Sequence, residues 1–238
     1  MKNMIKSAWL RQKKSEGKKI MYILPVITIT ISIFLARFNW QQIAFNWWEF
    51  MLIPLLISTC SAFLVSMENK KNRHGLLSIV VDKKKLWLSE VFTCTLMFFL
   101  SMFIFFIIVY IISVIIGGQY GVFLIFITTF LLFITFVWQI PLWMYLSEYI
   151  GAIPSIFIGV IVNMFSTVEI SLTSYWWFPF AIHGRINCAL LGIMPNGLNT
   201  DNSVYTNHKI IVPSVLISLF LYVFITLITS MIFKKKEV

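Results

Sequence analysis

Six long stretches of the chain carry almost no charged side chains, and this feature constrains the fold more than any other. Their approximate bounds are Ile20–Ala36, Phe50–Met67, Leu88–Ile116, Val122–Leu146, Ile153–Ile170 and Ile210–Phe233. About 20 apolar residues in a helix cross the hydrocarbon core of a bilayer. The stretches are continuously apolar rather than alternating, so helices are the expected spanning elements. We therefore predict an all-α polytopic membrane protein with six transmembrane helices.

The composition excludes the other common classes of protein. Hydrophobic residues make up 59% of the chain and charged residues only 12%, whereas about a quarter of the residues in soluble domains are charged. A soluble, disordered or disulfide-stapled secreted protein is therefore not expected. Cys60 and Cys94 lie in predicted spans and Cys188 lies outside them, a distribution that does not suit a disulfide framework. Residues 1–238 are predicted to form a single transmembrane domain.

The distribution of basic residues predicts the orientation of the chain. Sixteen of the nineteen Lys and Arg residues fall in the leader, in the segment between the second and third spans, or in the C-terminal tail. The other three are Arg37, Arg185 and Lys209. The positive-inside rule therefore predicts that both termini are cytoplasmic. Interfacial aromatics mark the opposite face: Trp40, Trp47, Trp48, Trp176 and Trp177. The net charge of +10 is then explained by topology, and no nucleic-acid partner is predicted.

The sequence contains none of the common catalytic motifs. It has no G-x-x-x-x-G-K-[ST] phosphate-binding loop, no H-E-x-x-H and no G-x-S-x-G. The histidines, His74, His183 and His208, lie on different predicted loops, and His183 with Cys188 is too small a set for a metal site. We therefore predict no catalytic residue, no metal site and no cofactor bound by this chain.

Acidic and amide side chains indicate where the energy for any transport would come from. Four carboxylates, Glu49, Glu90, Glu148 and Glu169, fall at the predicted ends of spans. Ion-coupled transporters usually place an ionisable group near the middle of the membrane. Gln139 and Asn163 lie deepest, and we expect them to form hydrogen bonds between helices. An external source of energy, supplied by a partner protein, is therefore predicted.

The leader, residues 1–19, has the pattern of a short basic amphipathic helix. In helical projection Met4, Ile5, Ala8 and Trp9 share one arc with Gln12, and the lysines lie at its edge or beyond. Such a helix is suited to the cytoplasmic interface of the membrane, with Ile5 and Trp9 as its apolar contacts. The alternative is a disordered basic leader that serves only topology.

The cytoplasmic segment 68–87 places an apolar stretch between two charged clusters. Leu76–Val81 is too apolar for a loop that needs only solubility. Such a patch suits either docking to a partner protein or contact with lipid headgroups, and docking is the sharper hypothesis. The candidate docking residues are Glu68, Asn69, Lys70, Lys71, Asn72, Arg73, Leu76, Leu77, Val81 and Asp82.

The segment 171–209, on the opposite face, is too apolar for a free loop and too rich in Pro and Gly for a span. We predict a re-entrant pair of short helices buried against the spans. Pro195, Asn196 and Gly197 have the residue types of a turn that closes this excursion. Arg185 lies among apolar residues and is expected to need a carboxylate or carbonyl partner, for which Glu169 is a candidate.

Several of these segments together resemble a known family, the ABC-2 type permeases, and within it the E-type permease subunits of lantibiotic immunity transporters. The resemblance covers essentially the whole chain, although each motif alone is weak. The matching segments are 46–48, 52–54, 77–82 with Lys84, 137–142, 176–181 with Arg185, and 191–198. One departure is that Ile79-Val80-Val81 lacks the proline that often follows the serine of the cytoplasmic segment.

The resemblance implies a function and a set of partners. Members of this family have no ATPase of their own and pair with a separate ATP-binding subunit, typically a dimer, which binds ATP and Mg²⁺. A second, G-type permease completes the complex. It expels lantibiotic peptides from the plasma membrane of a bacterium, in this case a Gram-positive one, and so gives self-immunity. The chain would thus be a non-enzymatic transport subunit surrounded by membrane lipid.

The resemblance and the residue patterns together suggest two functional surfaces. The cytoplasmic candidates would couple to the ATPase. On the outer face, aromatic side chains could contact a cationic amphipathic peptide, or they could form an ordinary aromatic belt. The candidate exit residues are Trp176, Trp177, Pro179, Phe180, Arg185, Pro195, Asn196 and Gly197. The alternative functions are a general ABC-2 exporter of another antimicrobial or a lipid, and a membrane subunit that senses peptide without transporting it.

Overall fold

The computed structural model describes residues 2–12, 15–70 and 82–235. Within these residues every regular element is helical, and one isolated antiparallel bridge joins Ile193 to Asn199. The α-helices are α1 Lys2–Arg11, α2 Glu16–Leu35, α3 Trp40–Trp47, α4 Ile53–Lys70, α5 Lys83–Ile116, α6 Val122–Val137, α7 Gln139–Ile150, α8 Ala152–Glu169, α9 Ile182–Leu191 and α10 Ile211–Lys234. A π-helical turn, Trp48–Leu52, joins α3 to α4.

The prediction of six spanning helices is confirmed for the described part of the chain. Six helical segments are long and apolar enough to cross a membrane: Glu16–Leu35, Trp40–Lys70, Lys83–Ile116, Val122–Ile150, Ala152–Glu169 and His208–Lys234. The second span combines α3, the π-turn and α4, and the fourth combines α6 and α7. The protein is therefore an all-α, multi-pass membrane protein.

Local sequence explains where the helices bend and end. Pro54 has no N–H that could donate to the carbonyl of Phe50. In the π-helical turn before it, the Ile53 N–H donates to the carbonyl of Trp48, five residues earlier. Pro141 likewise has no N–H for the carbonyl of Val137, where α6 ends. After α5 and α7, Gly117 and Gly151 adopt positive φ angles of 83° and 88°, which glycine accepts without steric cost. These two glycines allow tight turns into the next span.

The two ends of the bundle are defined by contacts between distant parts of the chain. Trp87, early in α5, stacks on Phe233, late in α10, with ring centroids 4.8 Å apart. The start of α5 and the end of α10 therefore lie at the same end of the bundle, which we call the terminal end. At the other end, the loop end, the Trp40 indole N–H donates to the Gly117 carbonyl at 3.0 Å. The sidedness of the two ends relative to the cell remains a prediction from the basic residues.

The second span forms the centre of the bundle. Its helix α4 packs against α2, α5, α7 and α8, and its Trp48 stacks on Phe105 of α5 with centroids 4.6 Å apart. By contrast, only 22% of the most apolar window of the third span and 17% of that of the sixth are buried. The exposed side chains of these two spans are mostly Phe, Ile, Leu and Val, which suits a surface that faces lipid.

The segment 171–209 differs from its prediction in two respects. Within it the structure has one short helix, α9, rather than a re-entrant pair, and residues 171–181 form consecutive turns. Pro179 lacks the N–H that a regular helix through this stretch would use. Cys188, predicted to lie outside the spans and to be exposed, is fully buried on α9. The turn at Pro195–Gly197 is confirmed: Gly197 N–H donates to the Met194 carbonyl at 2.8 Å.

Close packing between α4 and α8 gives a first prediction. A Cβ atom on Gly159 would lie 2.8 Å from Ser58 Cβ and 3.3 Å from Trp143 Cε2. We expect Gly159→Ala to lower the free energy of unfolding by about 1–3 kcal/mol, because the two helices must separate to admit the methyl group. Chemical unfolding in mixed lipid–detergent micelles, followed by tryptophan fluorescence, measures this change.

Gly121→Ala is the matched control, since a Cβ atom there meets nothing within 4 Å and its φ of −67° suits any residue. Equal stability of the two variants would contradict the account of this helix contact.

Candidate functional site

At the terminal end, the N-terminal helix is held by an ion pair that sequence reasoning did not find. Arg11 Nε donates to both carboxylate oxygens of Glu68, at 2.9 and 3.1 Å. Gln12 Nε2 donates to the same carboxylate at 3.3 Å. The Glu68 side chain is only 1% exposed, so these donors compensate the loss of its hydration.

Arg11 also approaches the beginning of the third span. Its Nη2 atom lies 3.9 Å from Glu90 Oε1, and the Glu90 side chain is 1% exposed. Glu68 lies near the end of α4 and Glu90 near the start of α5. One guanidinium group therefore lies between the two helices that flank the segment 71–81.

The remaining contacts of α1 agree with the predicted amphipathic pattern. Ala8 and Gln12, on the predicted apolar arc, are each 2% exposed, and α1 packs along α5. Ile5 and Trp9 are half-buried, and the Lys18 ammonium lies 4.6 Å from the centre of the Trp9 ring. The helix therefore has a protein-facing side, which a helix lying only on lipid would not need.

The predicted ATPase-coupling residues fall partly outside the described residues. The predicted residues outside the described part are Lys71, Asn72, Arg73, Leu76, Leu77 and Val81. The whole apolar stretch Leu76–Val81 also lies outside it. Glu68 is buried as above, whereas Asn69 and Lys70 are exposed at the end of α4. Asn69 donates to a carboxylate oxygen of Glu148 at 3.1 Å.

Asp82 begins α5 and caps it. Its side chain accepts hydrogen bonds from the backbone N–H groups of Lys84 and Lys85, at 3.0 and 3.3 Å. Desolvation acts to raise the pKa of Asp82, but these bonds and the nearby Lys85 charge outweigh it and hold the pKa below its usual value. Asp82 therefore fixes the start of α5.

Toward the loop end, a chain of buried polar side chains crosses the interior of the bundle. Gln139 of α7 and Asn163 of α8 exchange two hydrogen bonds, each 2.8 Å long. This confirms the predicted interhelical bond. Trp143 Nε1 donates to Gln139 Oε1 at 3.0 Å, and Asn163 Nδ2 also donates to the Gly159 carbonyl at 2.7 Å.

This network ends in a carboxylate–imidazole pair that was also missed. His183 Nε2 lies 3.0 Å from Asn163 Oδ1, and His183 Nδ1 lies 2.5 Å from Glu49 Oε1. The His183 and Glu49 side chains are 0% and 1% exposed. Phe136 stacks on the imidazole with ring centroids 4.0 Å apart. The pair is therefore completely enclosed.

Two sequence predictions are corrected by this pair. Glu49 was placed at the end of a span, but it lies inside the continuous helical segment Trp40–Lys70, nine residues and about 14 Å of helix from its start. His183 was placed on a loop, but it belongs to α9, which packs between spans. The bundle thus contains an enclosed ionisable pair, contrary to the expectation that carboxylates stay at the span ends.

Small residues and polar contacts hold α9 in place. A Cβ atom on Gly184 would lie 2.8 Å from Thr167 Cγ2, so the absence of a side chain permits the close approach to α8. The Tyr120 hydroxyl donates to the Leu191 carbonyl at 3.3 Å. Burial raises the pKa of Tyr120 to about 12, so the phenol remains a donor. His208 Nε2 lies 3.1 Å from the Ala189 carbonyl.

Arg185 finds the carbonyl type of partner that its surroundings required. Its Nη2 donates to the Val204 carbonyl at 2.5 Å, and its guanidinium lies 5.2 Å from the centre of the Tyr205 ring. Burial lowers the pKa of Arg185 below its usual value. Glu169 is exposed, and no ion pair joins it to Arg185 in the described part of the chain, so Glu169 is the wrong candidate.

The predicted exit residues do not share one surface. Trp177 is 53% exposed and, with Pro179, lines a shallow apolar groove beside Leu216 and Phe220 of α10. Phe180 instead packs inward against Trp138, with centroids 4.8 Å apart. Trp176 packs against the small apolar cluster that contains Ile182 and Ile186. Whether any of these side chains contacts a peptide stays a prediction.

The turn formed by Pro195, Asn196 and Gly197 is joined to the start of the second span. Gln42 Nε2 donates to the Gly197 carbonyl at 2.7 Å, and Asn46 Nδ2 donates to the carbonyls of Met194 and Pro195 at 3.3 and 3.4 Å. The second span therefore holds the segment after α9 as well as α9 itself. Among the described residues no group of three or more His, Cys, Asp and Glu side chains could hold a metal ion.

Comparisons of the chain with protein-family models, with curated proteins and with solved structures give no match. The resemblance to E-type permeases therefore stays a prediction from the sequence.

The ion pair at the terminal end gives the second prediction. Arg11→Gln leaves the buried Glu68 carboxylate without its cationic partner, so we expect the free energy of unfolding to fall by about 3 kcal/mol. Lys19→Gln removes an exposed pair with Glu16, in which the side chains are 62% and 65% exposed, and little change is expected.

Both variants are measured by chemical unfolding in lipid nanodiscs. Similar small effects for Arg11→Gln and Lys19→Gln would contradict the structural role of Arg11.

Proposed function

We propose that this chain is the permease subunit of an ABC exporter that expels a lantibiotic or a similar antimicrobial peptide from the membrane of a bacterium. In this proposal the terminal end faces the cytoplasm, and a dimer of a separate ATPase subunit binds ATP and Mg²⁺ there. A second, related permease completes the complex. The order of the sequence motifs suggests this function, and the absence of a phosphate-binding loop in the sequence agrees with an external ATPase.

The observation that carries the proposal is the contact of Arg11 with both Glu68 and Glu90. These carboxylates lie at the bases of the segment 71–81, which contains the apolar stretch predicted to dock on the ATPase. Because α1, α4 and α5 are joined there by charged groups, a displacement of the segment would move them together. Transport driven by an external ATPase needs such a connection between the docking segment and several spans.

The path of the second span supports the same proposal. From Glu68 at the terminal end, this span runs to Gln42 and Asn46, which hold the turn after α9 at the loop end. A movement that begins at the cytoplasmic segment would therefore reach the opposite face through one continuous helical segment. At that face the exposed ring of Trp177 lies beside the shallow apolar groove, a surface suited to an amphipathic peptide.

Transport itself is the third prediction. Proteoliposomes that contain this chain, its ATPase and the second permease should move a labelled cationic lanthionine peptide in an ATP-dependent manner. With Leu76→Asp and Leu77→Asp together, the peptide-stimulated rate of ATP hydrolysis should fall at least about tenfold, the effect of losing roughly 1.4 kcal/mol of coupling. The charged side chains would oppose burial in an apolar docking groove.

Val204→Asp is the control for this experiment, because it places the same charge on a side chain that is 63% exposed at the loop end. It should leave stimulation intact. Unchanged stimulation and transport in the Leu76/Leu77 variant would refute the docking segment. A wild-type complex that hydrolyses ATP but moves no peptide would refute the exporter function.

A further inference from the structure

The hydrogen bonds around Gln139 and Asn163 determine which atoms of the two amides are donors. The Trp143 indole N–H only donates, so the atom facing it must be the Gln139 oxygen. The Gly159 carbonyl only accepts, so the atom facing it must be the Asn163 nitrogen. These two assignments are independent, and they agree with both bonds between the amides.

The amide assignments determine the protonation of His183. Its Nε2 faces the Asn163 oxygen at 3.0 Å, and an oxygen can only accept. Nε2 must therefore carry a hydrogen. Nδ1 then faces Glu49 Oε1 at 2.5 Å, and a bond between them requires one further proton. That proton belongs either to Nδ1 of an imidazolium or to the Glu49 carboxyl group, and in both cases the pair has no net charge.

We propose that Glu49 and His183 form a proton-binding site, and that its single shared proton holds α9 in the interior of the bundle. Both side chains are at most 1% exposed, so the proton cannot exchange with water while α9 stays in place. Because the pair is without hydration only while α9 stays in place, the two positions of α9 interact differently with the proton, and protonation and displacement of α9 are thermodynamically linked. This property does not depend on the exporter function, because it follows from the contacts of the pair alone.

Removing or adding a proton disturbs the pair in different ways. When the pair releases its shared proton to solvent, the Glu49 carboxylate and the lone pair of Nδ1 face each other as two acceptors, with a buried negative charge. When the pair takes up a second proton from solvent, a protonated carboxyl group faces an imidazolium, with a buried positive charge. Both states favour displacement of α9 into contact with water. The site thus predicts closure within an intermediate range of pH and opening on either side.

The other titratable groups near the pair are limited. On α9 itself these are Arg185 and Cys188, and burial raises the pKa of the Cys188 thiol. Helices α3 and α6 carry no titratable side chain. The groups at the loop end on the remaining neighbours are Tyr120, Glu169, His208 and Lys209. Those further away on α2, α4 and α10 are Glu16, Lys18, Lys19, Tyr22, Cys60, Glu68, Lys70, Tyr222 and Lys234.

Cys188 provides a direct readout, because it lies on α9 and is fully buried. With Cys60→Ser and Cys94→Ser as background, Cys188 is the remaining thiol, and its rate of labelling by a water-soluble thiol reagent reports the displacement of α9. Measurements are made on the full chain in lipid nanodiscs across a range of pH. Each labelling rate is divided by the rate for the same variant unfolded in detergent at the same pH, which corrects for the ionisation of the exposed thiol.

Four variants separate a proton site from simple packing. Glu49→Gln provides an amide that donates to Nδ1 without a carboxylate to ionise, so the rise in labelling at alkaline pH should disappear. His183→Asn leaves Glu49 buried without its partner, so labelling near neutral pH should rise at least about tenfold. The double variant Glu49→Gln with His183→Asn removes that carboxylate and should restore protection. Glu169→Gln, the same change at an exposed carboxylate of α8, should leave the profile unchanged.

The outcomes distinguish the alternatives. Loss of the alkaline rise in Glu49→Gln, together with recovery of protection in the double variant, supports the proposal. A double variant labelled as fast as His183→Asn, or a Glu49→Gln profile identical to the background, overturns it. If circular dichroism shows that His183→Asn does not fold, the proposal is tested by Glu49→Gln alone, through the presence or absence of the rise in labelling at alkaline pH. The rise in labelling at alkaline pH must persist in Glu169→Gln, or the proton resides elsewhere.

Discussion

A carboxylate enclosed in an apolar bundle must be paired, and much of this structure depends on how Glu49 meets that requirement. Removing an ionised group from water costs several kcal/mol even after the protein relaxes. Here the compensation comes from His183, 134 residues away. His183 is in turn supported by Asn163, Gln139 and Trp143. The pair therefore explains why α9 is drawn between the spans rather than left at the surface.

The second span connects this pair with the ion pair at the opposite end. Glu49 and Glu68 belong to the same helical segment, about 28 Å apart along its axis. Each binds an element that does not itself cross the bundle: Glu49 binds α9, and Glu68 binds α1. Glu49 lies within the widened turn Trp48–Leu52, which Pro54 follows. Since such turns often occur at functional sites, the irregularity of this span coincides with the residue that binds α9.

Much of the fold could be predicted because its determinants are local. The apolar stretches gave spans whose bounds differ from the observed helices by ten residues at most, and Pro195–Gly197 has the residue types of the turn that is observed. The largest discrepancy is at the second span, predicted from Phe50 but beginning at Trp40. Its first two turns contain Gln41, Gln42 and Asn46, which donate hydrogen bonds to α5 and to the segment after α9. A prediction from hydropathy alone places the start of the span after such polar residues.

The candidate site was less predictable because its contacts join distant residues. Interhelical hydrogen bonds were predicted for Gln139 and Asn163, since both lie deep within predicted spans, although their mutual pairing was not. The pairing of Glu49 with His183 was not predicted, because the sequence around each residue is polar or rich in Pro and Gly, as in a loop. Their contact also depends on where α9 packs. Arg11 and Glu68 present the same difficulty across 57 residues. The periodicity of a sequence identifies the buried face of a helix, but it does not show which distant charged residue packs against that face.

The state of the shared proton is the central claim, and nitrogen-15 NMR of histidine-labelled protein in lipid bilayers measures it most directly. The spectrum of His183→Asn identifies the His183 signals by difference. The hydrogen-bond assignments predict that Nε2 carries a hydrogen, and that a second, strongly deshielded proton lies between Nδ1 and Glu49 near neutral pH. A neutral ring with an unprotonated Nε2 would contradict both the network and the proton site derived from it.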